Sequence, residues 1–186
     1  MATFTKILKP NSAQIDDALY RIAQGDDNAL EILYEQTSSS IYAYALSLLK
    51  SVPDAQDVMH DTLIKVYENA HNYNSHGKPM AWILTITKNL CFQKFRQQTR
   101  IVDMPDETIW GQFAGNANMS SDDKMFVAHY LSKLSEQERT IVVLHAVAGL
   151  KHREIAKHQG MPLATVLSKY NRAIKKLKQI IKGDSQ

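Results

Sequence analysis

Three side chains with metal-binding chemistry stand close together in the first half of the chain. Asp57, His60 and Asp61 are spaced i, i+3 and i+4 in a pattern typical of a helix, so they share one helix face. Such a face could bind a metal ion, and a metal-dependent helical hydrolase is one interpretation. A metal centre built on helices needs matching ligands on a facing helix, and the sequence offers no second cluster. Contact with a basic or polar partner protein is the favoured interpretation.

A second set of side chains has the chemistry to bind anions. Between Pro162 and Lys182 there are six basic residues and no acidic one. The basic residues are Lys169, Arg172, Lys175, Lys176, Lys178 and Lys182. Apolar residues recur among them at spacings of three and four, which predicts an amphipathic helix. The basic face lacks the acidic neighbours that would form internal salt bridges, so it fits nucleic acid better than a merely solvated surface.

The residues before this helix predict a helix-turn-helix. The segment 151–158 has a short helical pattern, and Gly160 supplies the positive φ that a tight turn needs. Pro162 suits the first turn of the following helix, where its missing N–H costs little. The second helix of such a motif can enter a major groove. An ordinary helical hairpin with a solvated basic face is the alternative.

The rest of the chain is predicted to be helical, and no alternating strand pattern is found. Periodicity and capping residues place helices at roughly 12–24, 26–49, 53–70, 79–98, 122–131 and 135–148. The run Ser38–Ser40 either breaks or bends the second helix. Ser135 and Glu138 have the spacing of a capping box at the start of the last. The fold class is therefore all-α.

Charge and composition divide the chain into two small helical domains. Residues 78–100 have 5 basic and no acidic residues, 101–132 have 1 basic and 5 acidic, and 133–182 have 11 basic and 3 acidic. Helical periodicity disappears after residue 98. We therefore predict an N-terminal domain at 1–98, a flexible acidic linker at 99–121 and a C-terminal helix-turn-helix domain at 122–186. Two basic surfaces indicate two contacts with nucleic acid.

The cysteine count and hydropathy restrict the cellular context. The single Cys91 excludes an internal disulfide framework and a cysteine-rich zinc site, which fits a reducing compartment. Residues 1–10 lack the apolar core of a signal peptide, and no run approaches the length of a membrane span. We expect a cytoplasmic protein with no direct membrane insertion.

The loop at 71–78 has side chains suited to unpaired bases. Tyr73, Asn74 and His76 offer stacking and hydrogen-bonding groups in a polar, turn-prone segment that must lie at the surface. The following helix leaves Lys88, Asn89, Gln93, Lys94 and Arg96 on its outer side. Phe92 and Phe95 stand among these residues, where aromatic rings can stack on bases, but such phenylalanines are more often part of a core.

Four motifs together resemble one family. They are Asp54-Ala55-Gln56-Asp57-Val58-Met59-His60-Asp61-Thr62-Leu63, then Trp82 with Lys88-Asn89 and Arg96, then Leu134-Ser135-Glu136-Gln137-Glu138-Arg139, and finally Glu154-Ile155-Ala156 with Gly160 and Thr165-Val166-Leu167-Ser168. In order and spacing, from about Ala18 to Leu177, they are similar to a bacterial sigma factor of the extracytoplasmic-function (ECF) type.

The resemblance implies a role for each surface. Asp57, His60 and Asp61 correspond to residues that contact core RNA polymerase. The loop and the helix after it correspond to elements that bind the −10 promoter element and hold its opened strand, through Tyr73, Asn74, His76, Lys88, Asn89, Gln93 and Arg96. The helix-turn-helix corresponds to the reader of the duplex −35 element, through Thr165, Ser168, Lys169, Arg172 and Lys176.

The resemblance also implies partners. Sigma factors of this type bind core polymerase and promoter DNA, and they are commonly held inactive by an anti-sigma protein, often anchored in a membrane. Their acidic connector occupies a polymerase path built for nucleic acid, which fits the net charge of 101–132. No catalytic residue, cofactor or metal is implied.

Some positions depart from the family pattern. His60 replaces a usual glutamine, Gln93 a common aspartate, and Leu167 and Tyr170 an expected lysine and leucine. With Leu163 and Ala164, Leu167 makes the DNA-facing end apolar, which suits thymine methyl groups better than guanine edges. A polymerase-independent helix-turn-helix repressor stays open as an alternative, although it would be a symmetric dimer and would have no use for the acidic helix face.

Overall fold

The computed structural model describes residues 10–74, 77–98 and 130–183, and within these ranges all regular structure is helical. The α-helices are α1 (Ser12–Ala23), α2 (Ala29–Leu49), α3 (Val52–Glu68), α4 (Pro79–Gln98), α5 (Glu136–Ala146), α6 (His152–Gln159) and α7 (Leu163–Gly183), with a 3-10 turn at Ala70–Asn72. The predicted all-α fold class is confirmed. The predicted linker at 99–121 and the start of the helix at 122–131 lie outside the described residues.

Helix ends are set by short-range hydrogen bonds that the sequence predicts. The Asn11 side chain caps α1 by accepting the N–H groups of Ala13 and Gln14 at 3.1 and 3.4 Å. At the start of α5, the Ser135 and Glu138 side chains form the predicted capping box. These bonds satisfy N–H groups that have no partner inside the helix. The predicted starts of α1 and α5 are confirmed.

Helix α2 is continuous through Ser38–Ser40, so of the two effects expected of the serine run, a break or a bend, the break does not occur. Hydroxyl groups along this helix are satisfied locally. Thr37 donates to the carbonyl of Leu33 at 2.6 Å, and Ser47 donates to that of Tyr44 at 2.7 Å. A buried hydroxyl bonded to its own helix leaves no polar group unpaired, so serine and threonine are tolerated here.

Helices α1 to α4, the N-terminal unit, pack around one core. The largest fully buried side chains of this unit include Ile15, Leu19, Leu33, Ile41, Leu46, Val58, Ile83 and Leu84. The inward side of α3 consists of buried residues, which are Ala55, Val58, Met59, Thr62, Leu63 and Val66. The opposite side of α3 is thereby turned towards solvent, which presents its polar residues.

Helices α5 to α7, the C-terminal unit, form the predicted helix-turn-helix. Gly160 ends α6 with φ of 65°, and Met161 N–H donates to the Ala156 carbonyl at 2.9 Å. Ile155 of α6 and Val166 of α7 are fully buried. The tight turn at Gly160 and the buried side chains of Ile155 and Val166 position α7, whose other face is left for solvent or a ligand.

The two units pack directly against each other through α2. Ala43 lies in a buried cluster whose other members, including Leu131, Val142 and Val143, all belong to the C-terminal side of the chain. Ser40 donates to the carbonyl of Val147 at 3.3 Å. As a result, every residue from Ser40 to Ser47 is buried, on all sides of the helix. A helix that is apolar and buried all round is typical of the centre of a fold.

A substitution at Gly160 tests the turn. A Cβ atom added there would meet nothing within 4 Å, so the cost of Gly160→Ala comes from the left-handed backbone alone. We expect a loss of about 1–2 kcal/mol in the free energy of unfolding, measured by urea denaturation. Gly160→Asn is the control, since asparagine tolerates this conformation better. Equal stability of the alanine variant and the unsubstituted chain would contradict the account.

Candidate polymerase and nucleic-acid interface

The outer face of α3 brings together the three predicted polymerase contacts. Asp57, His60 and Asp61 are all exposed, while Val58 and Met59 beside them face the core. Asp57 accepts a hydrogen bond from the ammonium group of Lys94 at 2.7 Å. Among the described residues, no group of three or more histidine, cysteine or acidic side chains is placed to hold a metal ion.

Lys94 of α4 also belongs to this face. The sequence predicted only that Lys94 lies on the outer side of its own helix. Its ammonium group lies 2.7 Å from Asp57 and 3.3 Å from Asp54, and the hydrogen bond to Asp57 raises its pKa. The lysine therefore joins α4 to the first half of α3. Reading helix spacing along one element cannot reveal a pair formed between two elements.

An apolar residue on the same face was missed. The Ile64 side chain is 55% exposed and follows Asp61 by three residues and His60 by four, so it shares their side of α3. Ile64 lies outside the apolar stripe of α3, and this position was the signal in the sequence that its side chain is exposed. An exposed isoleucine beside carboxylates fits a partner surface that is partly apolar.

The loop before α4 is anchored by Tyr73. Its hydroxyl donates to Asp16 of α1 at 2.6 Å, and its ring centroid lies 4.9 Å from that of Trp82. The tyrosine is half-buried in this position, so its contacts hold the loop in place, whereas Asn74 next to it is exposed. The third predicted loop residue, His76, lies outside the described residues.

The outer side of α4 carries the other predicted −10 contacts. Asn89, Gln93 and Arg96 are exposed, as expected. Lys88 is half-buried, because its ammonium group donates to the carbonyl of His158 at 2.9 Å. The structure therefore places four of the predicted residues on one helix, but it engages one of them in a contact with the C-terminal unit.

The expectation that Phe92 and Phe95 belong to a core is wrong. Their side chains are 47% and 36% exposed. Among the residues of α4 whose burial is described, Cys91 is the last buried one, and the residues from Phe92 to Gln97 lie outside the core. The ring of Phe92 has the Lys88 ammonium 5.8 Å from its centroid. Exposed rings among basic and amide side chains support the alternative in which they stack on bases.

The exposed face of α7 carries the predicted −35 contacts. Ser168, Arg172 and Lys176 are exposed, and Thr165 and Lys169 are half-exposed. The Ser168 hydroxyl donates to the carbonyl of Thr165 at 3.0 Å. The five residues thus lie along one helix, with the apolar Ala164 and Leu167 exposed at its beginning.

Arg172 and Lys176 also act on the start of α5. Burial of Glu138 would raise the pKa of its carboxyl group, but hydrogen bonds from Ser135 and the charges of Lys176 and Arg172 lower it below its usual value. The two cations therefore lie near the N-terminus of α5. A carboxylate at a helix N-terminus beside two cations marks this side of the unit as favourable to negative charge.

Comparison with known proteins agrees with this geometry. Residues 33–101 match the family profile of Sigma-70 region 2, and residues 127–177 match that of Sigma-70, region 4. The chain is 23% identical over 182 residues to the ECF RNA polymerase sigma factor SigK of Mycolicibacterium vanbaalenii, covering 91% of this chain and 90% of the relative. The chain belongs to the ECF sigma factors.

Other relatives and solved structures extend this result. EcfG of Rhodopseudomonas palustris, an ECF RNA polymerase sigma factor, is 28% identical over 149 residues, which cover 78% of this chain and 81% of the relative. In fold, this sigma factor is similar to RpoE from Bartonella quintana, solved with the anti-sigma factor NepR, with a TM-score of 0.65, 23% identity and coverage of 84% and 97%. It is also similar to CnrH, solved with the cytosolic domain of CnrY, with a TM-score of 0.60, 21% identity and coverage of 92% and 99%.

Tyr170, an unusual residue for this family, has a structural role in this sigma factor. Its ring packs edge-on against His145 and His152 with centroid distances of 4.9 and 4.7 Å, and the two histidines stack on each other at 4.3 Å. These three rings join α5, α6 and α7. The tyrosine therefore faces the interior of the helix-turn-helix rather than the DNA.

His152 is expected to make stability depend on pH. Burial, together with the neighbouring His145, lowers the pKa of His152 below its usual value. Since the folded state resists the proton, stability should be greatest above about pH 6.5 and fall as pH drops below it. We expect His152→Gln to reduce the difference in the free energy of unfolding between pH 7.5 and pH 5.5. An unchanged difference, measured by urea denaturation, would contradict this assignment.

Proposed function

We propose that this sigma factor directs core RNA polymerase to promoters with two elements, and that its two helical units divide those elements between them. The observation that carries the proposal is the presence of two exposed basic or polar surfaces, on α4 and α7, on separate helical units of one chain. A chain that binds polymerase and chromosomal DNA works in the cytoplasm, and we expect no catalytic activity of its own.

The face of α3 is proposed to bind core polymerase. Asp57 and Asp61 provide negative charge, His60 a hydrogen-bonding ring and Ile64 an exposed apolar side chain. Charge complementarity with a basic surface would steer association, and the apolar contact would add affinity at the centre of the interface. Lys94 donates a hydrogen bond to Asp57 and so fixes the position of that carboxylate.

The −35 element is proposed to bind α7. The first residues of a second helix in such a motif reach base edges, while basic residues neutralise phosphates. The first turns of α7 contain Thr165, Ser168 and Lys169, and Arg172 and Lys176 follow further along the helix. Exposed Ala164 and Leu167 favour contact with thymine methyl groups.

The opened −10 strand is proposed to bind the outer side of α4 and the loop before it. Asn74, Asn89 and Gln93 can form hydrogen bonds with the base edges that an opened strand presents, and Arg96 can bind phosphate. His76 belongs to the proposed −10 set on the basis of the sequence alone. Tyr73 is proposed to position the loop through its contacts with Asp16 and Trp82. The exposed rings of Phe92 and Phe95 are proposed to stack on bases in its place.

An anti-sigma protein is proposed as a further partner. One solved structure similar in fold contains the sigma factor RpoE with the anti-sigma factor NepR, and another contains CnrH with the cytosolic domain of CnrY. The partner of this chain, often membrane-anchored in this family, would cover the polymerase and DNA surfaces. Its purification with the chain from uninduced cells would support this role.

Transcription with purified core polymerase tests the function. The sigma factor should produce transcripts that start at one position on a cognate promoter, whereas a repressor would bind DNA without polymerase and lower transcription from it. A metal-dependent hydrolase would do neither. Absence of specific transcripts from every promoter of the native genome would contradict the proposed function.

Reversal of one charge tests the polymerase face. Asp61→Lys should weaken binding to core polymerase by roughly tenfold or more, because a charge that faced a basic surface becomes repulsive. The single substitution avoids Asp57, whose reversal would also disturb Lys94. Glu35→Lys, at an exposed position of α2, is the matched control. Equal affinities of the two variants in a titration with labelled sigma factor would exclude this face.

Two truncations test the division of the promoter. Arg172→Ala should weaken binding to a −35 duplex by about 1–3 kcal/mol and reduce the slope of its salt dependence by about one. Asn74→Ala should leave duplex binding unchanged and reduce promoter opening, seen as permanganate reactivity of unpaired thymines. Lys178→Ala, exposed elsewhere on α7, is the control for charge. If both truncations lower duplex binding equally, the proposed division is wrong.

A further inference from the structure

The last turns of α4 lie beyond the buried side of that helix. Among the residues of α4 whose burial is described, the buried ones share one face, and they are Met80, Ile83, Leu84, Thr87 and Cys91. From Phe92 to Gln97 every residue is exposed except Lys94, which is half-buried. The part of α4 that carries Gln93 and Arg96, both proposed −10 contacts, is therefore the part with the least burial.

Lys94 lies where the buried face of α4 would continue. It follows Thr87 by seven residues and Cys91 by three, which places all three on one side of the helix. A lysine at such a position needs an acceptor for its charge, because burial of an unpaired charge is costly. Two carboxylates of α3 are the acceptors, since the Lys94 ammonium lies 2.7 Å from Asp57 and 3.3 Å from Asp54.

The pairing of α3 with α4 explains why this contact comes at the end of their packing. The Thr62 hydroxyl donates to that of Thr87 at 3.4 Å, whereas Lys94, further along α4, contacts earlier residues of α3. The two helices are therefore antiparallel. Because α3 begins at Val52, two residues before Asp54, Lys94 lies near the last level at which α3 can support α4.

Side chains proposed to meet the opened strand lie on the opposite side of α4 from Lys94. Successive residues of an α-helix are turned by about 100°, so Phe92 and Arg96, two positions before and after Lys94, lie roughly 160–200° away from it. Both are exposed, and so is Asn89, three residues before Phe92. With the lysine inward and the binding face outward on the same turns, a movement of Lys94 relative to α3 changes where these side chains point.

The surroundings of Lys94 distinguish it from an ordinary surface ion pair. An exposed pair does little to fix a helix, because water screens the attraction and the side chains lose freedom. The Lys94 side chain is only 24% exposed and that of Asp54 only 20%, so this pair is screened less. Bonds to two carboxylates also restrict the ammonium group more than one bond does. Asp57 itself remains exposed, so it can bond to Lys94 and to polymerase together.

We propose that Lys94 is a positioning residue for the opened −10 strand. Through its two ion pairs it fixes the last turns of α4 against α3, and it thereby fixes the direction of the side chains that the strand meets. The inference rests on the proposed function, which assigns Phe92, Gln93 and Arg96 to that strand. A binding surface that is already ordered loses less conformational freedom on binding, so promoter opening is favoured.

Lys94→Met is the variant that tests this role, because it removes the ammonium group and keeps most of the side-chain stem. Lys94→Arg keeps the charge and should preserve the function. Asp54→Asn is a second variant, which weakens the contact from α3 and leaves Asp57 in place. Lys65→Met is the matched control, since it removes an ion pair of the same 2.7 Å length, with Glu68, whose side chains are both exposed. Circular dichroism and urea denaturation verify that each full-length variant is folded.

The hold on the helix end is measured first, by amide hydrogen exchange of the free chain with detection by mass spectrometry. In Lys94→Met, peptides that cover residues 92–97 should exchange severalfold faster than in the unsubstituted chain, because the last turns of α4 open more often. Asp54→Asn should show a smaller increase. Lys94→Arg and Lys65→Met should show none. Equal exchange of these peptides in all the proteins would overturn the proposal.

Promoter opening is measured next, as the rate at which thymines become reactive to permanganate with core polymerase and saturating sigma factor. Lys94→Met should open the promoter severalfold more slowly, whereas its affinity for a −35 duplex should be unchanged, since α7 is not altered. Lys94→Arg should open it at the unsubstituted rate. If Lys94→Met changes the exchange but not the rate of opening, or lowers duplex binding equally, the proposal is overturned. If even the unsubstituted chain opens no promoter, the proposed function fails, while the exchange still decides whether Lys94 fixes the end of α4.

Discussion

The burial of α2 on both of its sides is the interaction on which the rest of the structure depends. One side packs with α1, α3 and α4, and the other packs with the C-terminal unit through Ala43. Small side chains make this possible, since Ser40, Ala43 and Ser47 allow close approach and their hydroxyl groups find carbonyl partners. Because α2 is buried between the two units, the proposed contact surfaces lie on other helices, α3, α4 and α7.

The surfaces on α3, α4 and α7 differ in chemistry, and so do the partners proposed for them. An acidic face with an exposed isoleucine suits a protein, a basic helix suits a duplex, and amides beside exposed aromatic rings suit an unpaired strand. Lys88 belongs to the third surface and to the contact between the units at the same time. One ammonium group cannot bond both to a carbonyl and to a phosphate in the same geometry, so the proposed contact of Lys88 with DNA would require its bond to His158 to break.

Local features were predictable from sequence, and features formed between distant elements were not. The capping box at Ser135 and the glycine turn at Gly160 depend on residues within a few positions of each other, and both are confirmed. The pair of Lys94 with Asp57, the contact of Tyr73 with Asp16 and the docking of His158 depend on tertiary packing, which periodicity does not encode. Phe92 and Phe95 were misplaced for a related reason: an apolar residue type predicts burial only where a neighbouring element exists to cover it.

Site-directed cleavage of promoter DNA tests the division of the promoter between the two units most directly. Burial raises the pKa of the Cys91 thiol to about 12, so an iron chelate can be attached selectively to a cysteine introduced at exposed Asn72 or Lys157. With core polymerase on a promoter, the probe at Asn72, beside the loop, should cut around the −10 element, and the probe at Lys157, on α6, should cut around the −35 element. Cleavage by both probes at the same element, or with the two elements exchanged, would contradict the account.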